Sequence, residues 1–278
     1  MEHCKYLLFY LALVFCTTDV IAQRSQWEFS IGGGIYGEYV YVGSDDYYIA
    51  PLPHFKASYQ TGSITYSISV LEGIGFTYMN SSTNLIAGLQ LNSGETRDSK
   101  EYSALGFPVN HSNETRRFLE GSPDMNSPLS LEGSLIYPTP FGLVGISAKY
   151  SPISIEYQQR ELSDETRHGF LYSAFYVIGT PLSKRLSIMG IFSLDVMDQG
   201  YADSWYTVNR PTETLHVFEA NAGIRDFMVA AELTCKITDK FDLVLMGIST
   251  TLMNDADESP YTIEKVQRQM MTQIVYHF

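Results

Sequence analysis

The chain has 278 residues, with 18 Lys and Arg against 31 Asp and Glu for a formal charge of −13. That balance excludes a protein that grips a nucleic-acid backbone, which needs clustered cations. Its 20 Tyr, 15 Phe and 21 Gly point to β structure rather than a helical bundle.

Residues 1–22 come first. Lys5 opens them, Tyr6 to Phe15 is an apolar run, and Val20-Ile21-Ala22 has the branched and small residues that signal cleavage requires. The expectation is a signal peptide over 1–22, cut after Ala22. The run is shorter than the ~20 residues of a membrane helix, and Phe15 before Cys16 is too bulky for lipoprotein processing. The mature chain then keeps only Cys235, so no disulfide within it is available. Cys235 sits on an apolar row with Val229, Ala231 and Leu233.

Residues 23–278 alternate with the period of two expected of strands. Trp27, Phe29, Ile31, Ile35 and Tyr39 face one way; Glu28, Ser30, Gly32, Gly34, Tyr36 and Glu38 face the other. Aromatics stand at both ends of the apolar row, where two membrane interfaces would be. Ile49 to Tyr59 follows, with Pro51 and Pro53 marking a rim or bulge. Thr61-Gly62 is a tight turn, and Ile64, Tyr66, Ile68 and Val70 are the next one-sided strand. Short strands are expected at Gly73–Met79 and Asn84–Asn92, then a charged loop over 93–127. Further strands fall at Leu129–Tyr137, in Phe141–Gln159 with a bulge near Ser151-Pro152, at His168–Ile178 and Leu186–Val196. A loop over Asp198–His216 carries Tyr201, Trp205 and Tyr206. Strands at Asp226–Ile237 and Phe241–Met253, an acidic loop at 254–260 and the closing strand Gln269–Phe278 complete the chain.

Short connections alternate with long ones, as in a transmembrane antiparallel β-barrel with short periplasmic turns and long outer loops. The parity gives an all-β barrel of about 12 strands, with ten as the alternative and both ends in the periplasm. The rival architecture is a soluble secreted β-sandwich. The closing strand ends on Ile274, Tyr276 and Phe278, apolar on one face and aromatic at the tip. It resembles the membrane-insertion signal of bacterial outer-membrane barrels.

No arrangement of residues signals catalysis. His54, His111, His168 and His216 occur singly, without a nucleophile or metal-ligand spacing. Gly32-Gly33-Gly34 runs into a strand, so it is no phosphate loop. Asp255, Asp257 and Glu258 lack the ordered alternation of a calcium loop. Neither enzyme activity, a metal nor a cofactor is expected. Tyr36, Glu38, His54, Lys56 and Glu132 on inward rows are able to fill the lumen. The aromatic trio Tyr201, Trp205 and Tyr206 forms either an exposed contact patch or packing in the barrel mouth.

Several stretches resemble the MipA/OmpV outer-membrane protein family: Tyr41-Val42-Gly43-Ser44-Asp45-Asp46-Tyr47 before Pro51-Leu52-Pro53, Gly88–Gly94, Leu119–Asp124, Asn221–Asp226 and Asp255–Pro260. Their order and spacing across the mature chain carry the resemblance, in which Gly43, Ser44, Asp45, Pro51, Pro53, Asp255, Ser259 and Pro260 are the loop motifs. The chain departs from the family pattern at Glu95, where an Arg is common; Arg97 is the next basic residue. The resemblance implies a cell outer membrane location, contact with outer-membrane lipid, and, for some members, scaffolding of periplasmic murein-processing enzymes. A small uptake pore and a surface adhesin are the alternatives.

Overall fold

The computed structural model describes residues 26–97, 115, 119–157 and 164–278. The expected signal peptide and His111 lie outside the described residues. Fourteen strands form one antiparallel sheet: β1 (Gln26–Tyr39), β2 (Tyr47–Thr61), β3 (Ile64–Ser69), β4 (Gly73–Met79), β5 (Ile86–Ser93), β6 (Thr96–Arg97), β7 (Asp124–Asn126), β8 (Leu129–Thr139), β9 (Gly142–Glu156), β10 (Glu165–Pro181), β11 (Leu186–Met197), β12 (Gly223–Lys236), β13 (Phe241–Leu252) and β14 (Val266–His277). Twelve of them close into a barrel, with β14 returning to β1 and β9 joining β10. The two-residue β6 and three-residue β7 continue β5 and β8 above the wall, where Ser127 N–H donates to Glu95 O at 2.8 Å.

The alternation read from sequence sorts the side chains between lipid and lumen. Ile31, Ile68, Leu135, Ile146, Phe192, Val229, Leu245 and Ile274 are exposed on the outer face. Aromatics cluster at its two ends: Trp27 on Tyr59 at 4.8 Å and Phe241 on Tyr276 at 4.8 Å beside the short turns, Tyr39 on Tyr47 at 5.3 Å beside the long loops. Such girdles sit at the two membrane interfaces. Gly32 and Gly34 are needed for closure, because a Cβ there would meet the β14 carbonyls of Ile274 and Thr272 at 2.1 and 1.9 Å. Gly33 faces the other way and has room.

The lumen is filled. Leu52, Phe175, Val177, Met189, Ile191, Met228, Met246, Ile248 and Met271 form one buried apolar layer across it. The bulge expected near Ser151-Pro152 is absent: β9 keeps regular register with β10 through Pro152↔His168. The apolar phase changes there because Ile153 and Ile155 point inward beneath the outer loops and are buried. Register shifts fall on other strands: on the one facing Ser151–Ile153, between the pairs Asn126↔Ser154 and Leu131↔Tyr150, and between Asp195 and Val196, where β11 meets β12.

One part of the wall is low. β3 has six residues and β4 seven, where a tilted membrane strand needs ~9–11. Their turn tucks Leu71 and Glu72 into the lumen, Glu72 against Lys56 at 2.9 Å. Among the described residues the β2 edge above Phe55 therefore has no neighbouring strand. Val70 N–H donates to Phe55 O, so odd-numbered residues of β2 aim their backbone groups at that edge. Pro51 and Pro53 share this parity, and proline has no N–H to leave unpaired.

Candidate functional site, a capped outer vestibule

The long loops fold over the barrel mouth. Helix α1 (Gln199–Trp205) starts at Asp198, whose carboxylate accepts from Tyr201 N–H at 2.7 Å as an N-cap. The same carboxylate accepts from Phe170 N–H at 3.0 Å, tying the helix to β10. Tyr201, Trp205 and Tyr206 are buried against Met125, Ile153, Ile155 and Leu171. Of the two readings of this trio, packing into the mouth is the observed one.

A charged cluster lies beneath the helix. The Glu95 carboxylate accepts from Lys149 Nζ at 2.8 Å and from the Tyr201 hydroxyl at 2.6 Å. Arg225 has Nη1 3.8 Å from Glu95, Nη2 3.2 Å from Asp195 and Nε on Asp226. It also donates to the Tyr201 hydroxyl at 2.8 Å. Burial makes each of these charges depend on its partners, because removing one strands the rest in low dielectric.

Arg97 differs. It is 4% exposed, and its Nη1 donates to the Trp205 carbonyl and its Nη2 to Met125 Sδ. Its guanidinium carbon lies 3.4 Å over the Tyr261 ring. Burial pushes its pKa down from the usual guanidinium value; the opposing influences come from the phenols of Tyr261, Tyr41 and Tyr206. Beside it opens a pocket of about 350 Å³ between the loops. Arg167 on its wall is matched by Glu165 at 2.9 Å, and Arg210 lies 5.6 Å over the Tyr157 ring. Glu120 and Glu213 border it as exposed acids.

The motif residues divide between two places. Gly43 has φ +101, and its carbonyl accepts from Ile263 N–H at 2.7 Å. Ser44 O accepts from Gln267 Nε2 at 2.9 Å. Asp255, at the start of α2 (Asp255–Glu258), accepts from Asn221 N–H at 2.7 Å, and Ser259 Oγ donates to Tyr206 O at 2.7 Å. Asp45 and Pro260 belong to the same two loops. These contacts pin the loops over α1, whereas Pro51 and Pro53 lie away on the free β2 edge. Ile274 and Phe278 are exposed on the outer face, and Tyr276 meets Phe278 edge to face at 4.9 Å. His54 bonds Ser30 in the lumen at 2.9 Å, and His168 bonds Tyr150 at 2.7 Å. Among the described residues no group of three His, Cys, Asp or Glu is placed to hold a metal ion. Glu95 and Arg97 are the vestibule residues that the loop reading missed; the one signal was the departure from the family pattern at Glu95.

Comparison with curated proteins finds no match. Among solved structures, the chain is similar to the translocator domain of the autotransporter NalP from Neisseria meningitidis, with 9% identity, a TM-score of 0.41, and coverage of 99% of this chain and 96% of that one. It is also similar to an outer membrane channel from Pseudomonas putida F1, with 9% identity, a TM-score of 0.42, and coverage of 94% and 100%. OmpT, an outer membrane protein of Vibrio cholerae, aligns with 7% identity, a TM-score of 0.39, and coverage of 92% and 77%. A family model described as MltA-interacting protein MipA matches residues 31–278. This outer-membrane β-barrel belongs to the MipA family.

Proposed function

We propose that this barrel works as a closed interaction protein of the outer membrane, presenting loops and turns rather than conducting solute or carrying out chemistry. The observation that carries the reading is the double filling of the lumen: an apolar layer at mid-height and an ion-paired cluster under α1 above it. A 1–22 signal peptide would deliver the chain, and Ile274, Tyr276 and Phe278 would direct its insertion.

The family description names interaction with MltA, which favours a murein-processing enzyme as the partner. The periplasmic turns are short, and a standard interface takes ~800 Å² from each partner. Such a partner therefore engages several turns together with the barrel rim.

Conductance in a planar bilayer, with insertion confirmed independently, tests the closed state. A silent bilayer is the expected outcome. Discrete, reproducible steps would turn the reading to a small channel. Crosslinking from single cysteines in the 182–185 and 237–240 turns is expected to capture a murein-processing enzyme in intact cells. Crosslinks to lipid alone would remove the scaffold.

A further inference from the structure

Among the described residues, three buried hydrogen-bond donors near the cap lack an acceptor: Arg97 Nε, Tyr41 Oη and Trp205 Nε1. Of the three, Arg97 is the one on the wall of the pocket. Arg97 bonds the Trp205 carbonyl, and its charge acts on the Tyr41 phenol. Native interiors pair nearly all such groups, so an orphaned donor on a pocket wall calls for an acceptor that the described residues do not supply.

The charge makes the same point. Arg225, in the same vestibule, has carboxylates of Asp226, Asp195 and Glu95 within 3.8 Å. Arg97 is as deeply placed, yet it faces phenols, a carbonyl and a thioether. A buried cation without a counter-ion is unfavourable unless something brings the anion. Arg97 also lines the 350 Å³ pocket, a volume at the small end of organic-ligand sites.

We propose that this pocket binds a small organic anion whose oxyanion group is received by Arg97. A guanidinium presents planar paired N–H groups that suit a carboxylate or a phosphate. Arg167 is already matched by Glu165 and contributes little free charge. The rings of Tyr157 and Tyr261 offer contact to an apolar body. Exposed Glu120 and Glu213 repel polyanions, so the site takes a single anionic group. Neither the closed lumen nor a periplasmic partner is required for this assignment.

The chain has two Trp, so Trp27→Phe leaves Trp205 as the fluorescent reporter. This protein, folded in detergent micelles, is titrated at constant ionic strength with benzoate, with neutral benzamide and with inorganic phosphate. A saturable change in Trp205 emission is expected with benzoate and none with benzamide. A matching response to phosphate assigns the site to oxyanions generally, and its absence assigns it to carboxylates on an apolar body. Arg97→Gln is expected to weaken benzoate binding on the order of 10- to 100-fold, and Arg97→Lys to fall between. Because substitution at a buried site also perturbs the cap, thermal unfolding of the Arg97-containing protein is followed in parallel. Benzoate should raise the transition temperature and benzamide should not. Equal responses to benzoate and benzamide, no response from a barrel whose fold is verified by heat-modifiable migration, or full-affinity binding by a folded Arg97→Gln protein would overturn the proposal.

Discussion

Glu95 and Arg97 are two residues apart and in opposite electrostatic situations. Glu95 holds Lys149 and Tyr201 and stands near Arg225. Replacing it by Ala leaves buried cations short of a partner, and a loss of about 3–5 kcal/mol is expected in denaturant unfolding. Replacing Arg97 by Met removes an uncompensated buried charge at similar volume. That change is expected to stabilise the unliganded barrel by about 1 kcal/mol or more, as sites kept for binding often allow. Tyr41 offers a pH readout, because burial raises its phenol pKa above the ordinary value. A raised folded-state pKa gives a contribution fully present below the unfolded value of about 10 and lost as pH rises through the folded value. Ultraviolet titration of the Tyr41→Phe protein should therefore show one late-ionising tyrosine fewer than the parent. Little of this is readable from sequence: a run with Arg97, Asp98, Lys100 and Glu101 looks like a solvated loop. Lys149 and Arg225, which give Glu95 its meaning, lie far along the chain.

At the scale of elements, strand alternation was legible because one face of each strand meets lipid and selects apolar side chains. It fails above Ser151, where Ile153 and Ile155 turn inward to pack under α1 and the apolar phase reverses without a bulge in β9. The helix itself was hidden inside an aromatic loop, since seven residues are too few for a periodic signal. On β2 the prolines signal a rim or bulge, yet β2 keeps regular register with β1 through both, and their reason is a missing neighbour on the other edge. Pro51→Ala with Pro53→Ala puts two N–H groups on an unpaired edge at membrane depth. Each unsatisfied group there costs several kcal/mol, so edge-to-edge dimers are expected on gentle electrophoresis. Unchanged monomeric migration would mean that another group already covers the edge.

For the whole molecule, twelve strands followed from counting turns, because turn parity is a global constraint that local errors leave intact. The apolar layer within the lumen did not follow, because alternation reports only which face is the more apolar. Val177, Ile191 and Met246 face inward beside outward Ile178, Phe192 and Leu245. The two fillings act in series. Trp205→Ala loosens the cap and should leave bilayers silent, while combining it with Phe175→Ala and Met246→Ala should admit ion current.

The low wall at β3 and β4 also reaches beyond the protein. Six residues rise ~20 Å along a strand and less along the membrane normal, against an apolar band ~25 Å tall elsewhere on such barrels. Lipids facing that arc must thin to meet it, and such mismatch carries an elastic penalty of fractions of a kcal/mol per Å. Two barrels that turn their low arcs toward each other share one dimple instead of maintaining two. A nearly cylindrical protein thereby acquires a preferred side, set by membrane elasticity before any residue of a neighbour touches it.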